Sequence, residues 1–306
     1  GVVFILSLVD YSVPSLFQMN VYAMEIFADF SASNDEARAF LLGLPLWLAA
    51  MAALGLVLRG ERGWSAMDEN LPKHPLQLPA WLRAAQRISV VVLVAQILVP
   101  LVSQVLLVGS LEALFRAVSD AAGEIRTSLL VAAASALLAV PLVFTAWKLF
   151  MKARWKGWRL LVFAPITLPA SLMGIGLVTL WNSLLRAGIY GTLAMPVLAS
   201  TARFVPFAVL LASAQMSTIQ EELFESARIY QGRWVERIVR IDLPLYAPGL
   251  AAAAALVFVL AIGELGATLI VAPPGRGTLT MRIYNYLHYG ASDTVAGLCL
   301  AVTLVT

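Results

Sequence analysis

The chain has 306 residues, of which 60% are hydrophobic and only 13% are charged, and its mean hydropathy is +0.85. Soluble domains carry roughly a quarter charged residues, so this composition excludes an ordinary soluble domain and indicates a membrane protein. The net charge of +3 is too small to indicate a nucleic-acid partner, and the single cysteine, Cys299, excludes an internal disulfide and a cysteine metal cluster.

Eight apolar stretches are predicted to be membrane helices, which need about 20 mostly apolar residues to cross a bilayer. The first and last stretches are incomplete, so we expect a fragment, truncated at both ends, of an all-α polytopic membrane protein. Prolines inside several stretches favour a packed bundle of bent helices, in which a neighbouring helix or water pairs with the freed carbonyls. The predicted spans are residues 1–9, 40–58, 88–109, 127–149, 160–182, 191–214, 248–271 and 291–306.

Lysine and arginine residues are distributed unevenly between these spans. One alternating set of connecting segments contains 14 of them and the other set contains 6. The positive-inside rule predicts that the richer set is cytoplasmic. Its members are the segments 59–87, 148–159 and 215–247.

The first forty residues resemble the last fifty, which indicates an internal repeat. VVFILSLVDYSVPSL aligns with LVFVLAIGELGATLI, so that Asp10 pairs with Glu264, and a later segment pairs Met24 with Met281. Chance similarity between two membrane helices is the alternative. Six predicted spans separate the copies, so the two halves would run parallel about an axis along the membrane normal. The predicted domains are the end of a first half (1–58), a cytoplasmic linker (59–87) and a second half (88–306).

Three of the ionisable residues within the predicted spans or at their ends are candidates for function. An arginine at mid-span costs about 2.5–3.5 kcal/mol, so Arg203 should face the bundle interior with a partner. Arg203 forms either a structural ion pair or a contact with a carbonyl group, or it is part of a translocation pathway or gate. Asp10 and Glu264, at matched positions of the repeat, are predicted to face a shared pathway, and the alternative is that both are wetted near the outer interface.

The segment 215–247 is unusually charged for this chain. Thr218 and Glu221 have the spacing of a capping box, and apolar residues recur near helical period on both sides of Gln231 and Gly232. This pattern predicts two short helices, the second ending at Pro244 because proline lacks an N–H donor. A solvated loop, or an amphipathic element lying on membrane lipid, would show the same periodicity.

Within this segment the letters ESA are followed by a glycine and then by IDLP. The residues are Glu225, Ser226, Ala227, Gly232, Ile241, Leu243 and Pro244. They resemble the EAA loop of inner-membrane permease subunits of binding-protein-dependent ABC importers. Ser226 replaces the first alanine of the family motif, and Gly232 lies one residue later than the family's glycine.

The resemblance implies a type I permease fold with six-helix halves, in the inner membrane of a bacterium or archaeon. The segment 215–247 would then be a coupling loop that docks on a separate ABC ATPase, expected to be a homodimer. Glu225 would cap or pair within the docking helices, Gly232 would supply the turn, and Leu243 and Pro244 would mark where the loop re-enters the membrane. The chain has no G-x-x-x-x-G-K-[ST] motif, so ATP would be used by the partner and no cofactor is expected here. A solute-binding protein outside the cytoplasm is the other implied partner.

The solute is less clearly indicated. The stretch GELGATLIVAPPGRGTLTMRIYNYLHYG is similar to the iron(III) branch of the family, and two carboxylates facing a pathway suit a hard cation. The resemblance therefore implies iron(III), with thiamine, sulfate or polyamine as alternatives. An ion-coupled secondary transporter is the rival of another class, although it would be expected to carry more paired acidic or histidine residues. An enzyme would be expected to carry clustered histidine, glutamate or cysteine residues.

Overall fold

The computed structural model describes residues 2–17, 19–65, 79–152, 157–184, 188–216, 219, 234–289 and 292–306. All regular elements in these ranges are helices. Five of the helices are long and apolar enough to cross a membrane, and a bent pair of helices makes a sixth candidate. The prediction of an all-α polytopic membrane protein is therefore confirmed.

In the first part of the chain, α1, α4, α5 and α7 correspond to predicted spans, whereas α2, α3 and α6 lie in segments predicted to connect them. Pro45 and Pro100 lie inside α4 and α5, as expected for bent spans. The bounds are α1 Val2–Val9, α2 Ser12–Leu16, α3 Tyr22–Ser33, α4 Glu36–Ser65, α5 Ala80–Val108, α6 Leu111–Asp120 and α7 Ala122–Lys152.

The second part of the chain contains shorter helices between its long ones. A 3-10 turn (Ala164–Thr167) and two π turns (Leu180–Leu184 and Ile238–Asp242) join some of them. The bounds are α8 Gly157–Phe163, α9 Ala170–Thr179, α10 Ala194–Met216, α11 Trp234–Arg237, α12 Leu243–Ile262, α13 Thr268–Val271, α14 Leu279–Tyr289 and α15 Ser292–Val305.

The predicted span 160–182 is not one straight helix. Its two parts, Leu160–Thr167 and Ala170–Asn182, are bent by 107°. The break contains Leu168 in an extended conformation directly before Pro169. Proline disfavours the helical conformation in the residue before it, and this accounts for the position of the break.

The prediction for the region around Pro244 is also wrong in its boundaries. The helix does not end at this proline: α11, a π turn and α12 follow one another, and together they form the candidate span Val235–Ile262. Pro244 lies in the first turn of α12, where a missing N–H is tolerated. The predicted span 248–271 instead ends early, at Ile262, and residues 263–267 form a turn before α13.

The two ends of the chain share an order of elements. In the first, α1 ends before Asp10 and the short helix α2 follows; in the second, α12 ends before Glu264 and the short helix α13 follows. A helix of 12 residues (α3) and one of 11 residues (α14) come next. Both acidic residues therefore lie in breaks between helices, in agreement with the repeat inferred from the sequence.

The chain forms two compact units. The first comprises residues 1–54 and 124–281, and the second comprises residues 55–123 and 282–306. In the first unit, α10 packs along α12, and Tyr11, Ile26 and Ala170 belong to a buried cluster. In the second unit, α15 packs against α5 and α6. The predicted domain boundaries at 58 and 87 stay a prediction.

Candidate functional site

The predicted coupling loop is described only in its last part. Glu225, Ser226, Ala227 and Gly232 lie outside the described residues. The second half of the motif lies at the junction of the π turn and α12, where Ile241 is half-buried and Leu243 and Pro244 are exposed.

Asp242, the variable residue of the IDLP motif, is the buried residue of this junction. Its side chain is 3% exposed, and its Oδ2 atom lies 2.8 Å from Nζ of Lys148 near the end of α7. The contact brings the segments 148–159 and 215–247 to the same side, as the distribution of positive charge predicts. Neither Lys148 nor Asp242 was predicted from the sequence.

The three predicted pathway residues come together within the first unit. Arg203 projects from α10, and its guanidinium group donates to Glu264 Oε1 at 2.5 Å. Its other terminal nitrogen lies 3.4 Å from Asp10 Oδ1. The expectation that Arg203 has an ionic partner is therefore met, and both acidic residues of the repeat contribute to it.

Glu264 is held by its own turn as well as by the arginine. Its Oε1 also accepts the backbone N–H of Ala267 at 3.0 Å, and its Oε2 accepts the backbone N–H and the hydroxyl of Thr268. The side chain is 0% exposed, so the alternative of a wetted position is wrong for Glu264. A carboxylate that is fully hydrogen-bonded in this way fixes the turn between α12 and α13.

Asp10 differs from Glu264 in exposure and in the strength of its contacts. Its side chain is 26% exposed, and its Oδ1 accepts a hydrogen bond from the Ser12 hydroxyl at 3.0 Å. The longer distance to Arg203 makes this the weaker of the two ion pairs. The cluster thus has one tight, buried contact and one looser contact at its more accessible edge.

Tyr11 supports the cluster and was not predicted from the sequence. Its hydroxyl donates to the backbone carbonyl of Gly266 at 2.6 Å, and its ring stacks on Phe27 with a centroid distance of 5.5 Å. Gly266 itself lies so close to Ala170 that a Cβ atom would approach the alanine Cβ at 2.6 Å. Gly266, the second glycine in GELG, was the available signal of a close backbone approach.

We expect Tyr11→Phe to lower the free energy of unfolding by about 1–3 kcal/mol, because the buried Gly266 carbonyl loses its donor. Thermal unfolding of the purified protein in detergent measures this loss. The matched control is Tyr22→Phe, since the Tyr22 hydroxyl also donates to a backbone carbonyl but the residue is 47% exposed. Equal effects for the two substitutions would show that the Tyr11 hydrogen bond has no special weight.

Comparison with known families identifies the chain. Residues 134–306 match the family described as "Binding-protein-dependent transport system inner membrane component". The chain belongs to this family. The matched region of the permease begins within α7 and includes Lys148, Arg203, Asp242 and Glu264, whereas Asp10 precedes it.

Similar proteins from three organisms support the assignment. The permease is 30% identical over 187 residues to a molybdate/tungstate transport system permease protein of Thermococcus kodakarensis, covering 59% of the chain and 73% of that relative. It is 34% identical over 140 residues to a molybdenum ABC transporter permease protein of Haloferax volcanii, covering 42% and 50%. It is 27% identical over 150 residues to a protein of Salmonella typhimurium named for 2-aminoethylphosphonate transport, covering 49% and 56%.

These findings confirm the predicted class of protein. The chain is a multi-pass inner-membrane permease subunit of an ABC importer, with a type I permease domain. The family is one of transport subunits, in agreement with the prediction that the chain is not an enzyme.

Proposed function

We propose that this permease moves a tetrahedral oxyanion of the molybdate or tungstate class into the cytoplasm, with a phosphonate as the second candidate. The observation that carries the proposal is the kind of solute for which relatives of the permease are named. One group of relatives is named for molybdate or tungstate transport and another for 2-aminoethylphosphonate transport. Each of these solutes contains a compact tetrahedral oxyanion group. The iron(III) prediction, and the thiamine and polyamine alternatives, have no such support, whereas sulfate has the same tetrahedral chemistry.

The Arg203 cluster contains one group that can bind an oxyanion, the guanidinium, beside the two carboxylates of Asp10 and Glu264. Both oxygens of Glu264 already accept hydrogen bonds from the chain, so they are poorly placed to become iron ligands. Among the residues that the structure describes, the second terminal nitrogen of the Arg203 guanidinium contacts a carboxylate at the longer distance, that of Asp10 at 3.4 Å. Guanidinium groups bind oxyanions through paired N–H donors. We therefore place Arg203, Asp10 and Glu264 in the translocation pathway, with Asp10 occupying the position that an oxyanion takes in transit.

The proposal includes the two partners that the family implies. A binding protein delivers the solute, and a homodimeric ABC ATPase docks on the coupling loop that contains Glu225, Ser226, Ala227 and Gly232. The loop continues into α12 through Ile241, Leu243 and Pro244. Helix α12 then connects the docking region to the Arg203 cluster. ATP is consumed by the ATPase, and the permease supplies the pathway.

Uptake by the complete importer tests the substrate. Permease, ATPase and binding protein are reconstituted in proteoliposomes, and the import of molybdate, tungstate and 2-aminoethylphosphonate is measured with and without ATP inside the vesicles. We expect ATP-dependent import of molybdate or tungstate that excess unlabelled tungstate abolishes. Equal excesses of iron(III), thiamine and spermidine should have no effect.

Two results would contradict the proposal in different ways. Import of iron(III), thiamine or spermidine in place of the oxyanions would overturn the substrate class alone. Import that continues on an ion gradient without ATP would favour the ion-coupled secondary transporter. Excess sulfate should inhibit import less than excess tungstate does, because sulfate shares the tetrahedral geometry but is smaller.

A further inference from the structure

The pair formed by Lys148 and Asp242 joins a buried carboxylate to a partly exposed ammonium group, and the proposed pathway does not use it. The Asp242 carboxylate lies between two cations. Lys148 of α7 is 2.8 Å away, and Arg237 of α11 is 3.9 Å away through its Nε atom. Asp242 thus touches both the end of the predicted coupling loop and the end of a neighbouring span.

Aromatic rings enclose this pair. The Lys148 ammonium lies 5.0 Å from the ring centroid of Tyr246 and 5.6 Å from that of Phe144. Tyr246 is 2% exposed and Trp147 is 7% exposed, and the two rings pack in a T-shaped arrangement. An ammonium close to aromatic faces and a buried carboxylate is restricted in position, so the contact between α7 and the base of α12 is fixed rather than loose.

Each end of α12 carries an ion pair with a buried carboxylate. Asp242 directly precedes the helix, and Glu264 follows its last residue by two positions. A helix of 20 residues is about 30 Å long, so α12, which contains Pro248, extends from the predicted docking side to the Arg203 cluster as one continuous helix.

The neighbouring helix α7 has contacts with other elements along its length. Its Ser135 hydroxyl donates to the carbonyl of Val197 in α10, and its Ser128 hydroxyl accepts the N–H of Leu279 at the start of α14. Helix α7 therefore touches the helix that carries Arg203. A displacement at the Lys148 end of α7 would be transmitted to these contacts.

We propose that Lys148 and Asp242 are positioning residues that lock α7 to the base of α12, so that movement of the coupling loop displaces both helices as one body. The inference rests on the proposed function, because it takes the coupling loop as the docking site of the ATPase. The pair touches neither solute nor nucleotide. Its effect is on the number of solute molecules imported for each ATP hydrolysed.

The test compares Lys148→Met, Asp242→Asn and the double variant in the complete importer. Tungstate import and ATP hydrolysis are measured on the same proteoliposomes. Lys148→Met leaves the buried Asp242 carboxylate with the longer Arg237 contact, and Asp242→Asn removes the carboxylate from both cations, so each single variant is expected to assemble less well. In the double variant no charge remains at the Lys148–Asp242 contact, and Arg237 has a side chain that is 39% exposed to solvent. This variant should therefore assemble and hydrolyse ATP while importing about tenfold less tungstate per ATP, a factor within the range of ordinary coupling free energies.

The matched control is Arg116→Gln, which breaks an exposed pair with Glu112 on α6. This variant should import the same amount of tungstate per ATP hydrolysed as the unsubstituted importer. A double variant with an unchanged ratio would overturn the lock, and so would a double variant that fails to assemble, since the pair would then serve stability alone. If the unsubstituted importer shows no ATP-driven import, the proposed function fails first and the lock fails with it.

Discussion

Arg203→Met is expected to reduce solute import to background and to destabilise the permease. The substitution leaves Glu264, whose side chain is 0% exposed, without its cation. Removing one member of a buried ion pair costs about 3–5 kcal/mol, because the remaining charge stays in a medium of low dielectric constant. Thermal unfolding in detergent measures the loss of stability, and proteoliposomes measure the import.

A second substitution separates a structural arginine from one in the pathway. In Arg203→Met/Glu264→Gln no uncompensated charge remains at the Arg203–Glu264 contact, so assembly should recover. We expect import to stay at background, because the guanidinium group that we propose as the oxyanion's partner is still missing. Recovered import would show that the pair is structural only, which is the other interpretation of a mid-span arginine.

The surface offers a control for this experiment. Arg38 forms an ion pair with Asp29 at 2.7 Å, but its side chain is 62% exposed. Arg38→Gln should cost less than about 1 kcal/mol, because exposed ion pairs contribute little. The loss of stability in Asp10→Asn should lie between the losses in Arg203→Met and Arg38→Gln, since the Asp10 contact is longer and partly exposed.

Gly266→Ala is expected to lower the free energy of unfolding by about 1–3 kcal/mol through overpacking. The added Cβ would approach the Ala170 Cβ at 2.6 Å and the Ser12 hydroxyl at 3.2 Å. An alanine Cβ cannot rotate away, so α9 or the turn after α12 must move. That movement also displaces the Gly266 carbonyl from the Tyr11 hydroxyl.

The neighbouring glycine is a matched control for this effect. Gly263 has helical dihedral angles, with φ of −82°, and the nearest atom to an added Cβ is the Leu260 carbonyl oxygen at 3.9 Å. Gly263→Ala should therefore leave the thermal unfolding temperature unchanged or slightly raised. Equal losses at both positions would contradict the packing argument.

The sequence was sufficient for the class of protein and for most of the spans. A helix in lipid satisfies its own backbone hydrogen bonds, so a local run of apolar residues is enough to predict it. The charge of the connecting segments is likewise a local property, and the Lys148–Asp242 contact agrees with the sidedness that it predicts. The need for a partner of Arg203 followed from the energetic cost of a charge in the membrane.

Boundaries inside the spans were predicted less well. The bend at Pro169 and the early end of α12 at Ile262 were missed, because hydropathy does not distinguish a helix from a turn made of apolar residues. The helix that runs through Pro244 was missed for another reason. Proline is tolerated in the first turn of a helix, where the N–H groups have no partner within the helix, and Pro244 lies in a first turn that follows a π turn.

Sequence alone thus determined that this chain is a helical membrane permease with an arginine in need of a partner and two acidic residues at matched positions of a repeat. Only the tertiary structure decided the pairing: Glu264 tightly with Arg203, Asp10 loosely, Asp242 with Lys148, and Tyr11 with the Gly266 carbonyl. The physical reason is one of range. Hydrophobicity and charge cost act on each segment by itself, whereas these contacts join residues between 61 and 255 positions apart and form only when helices pack.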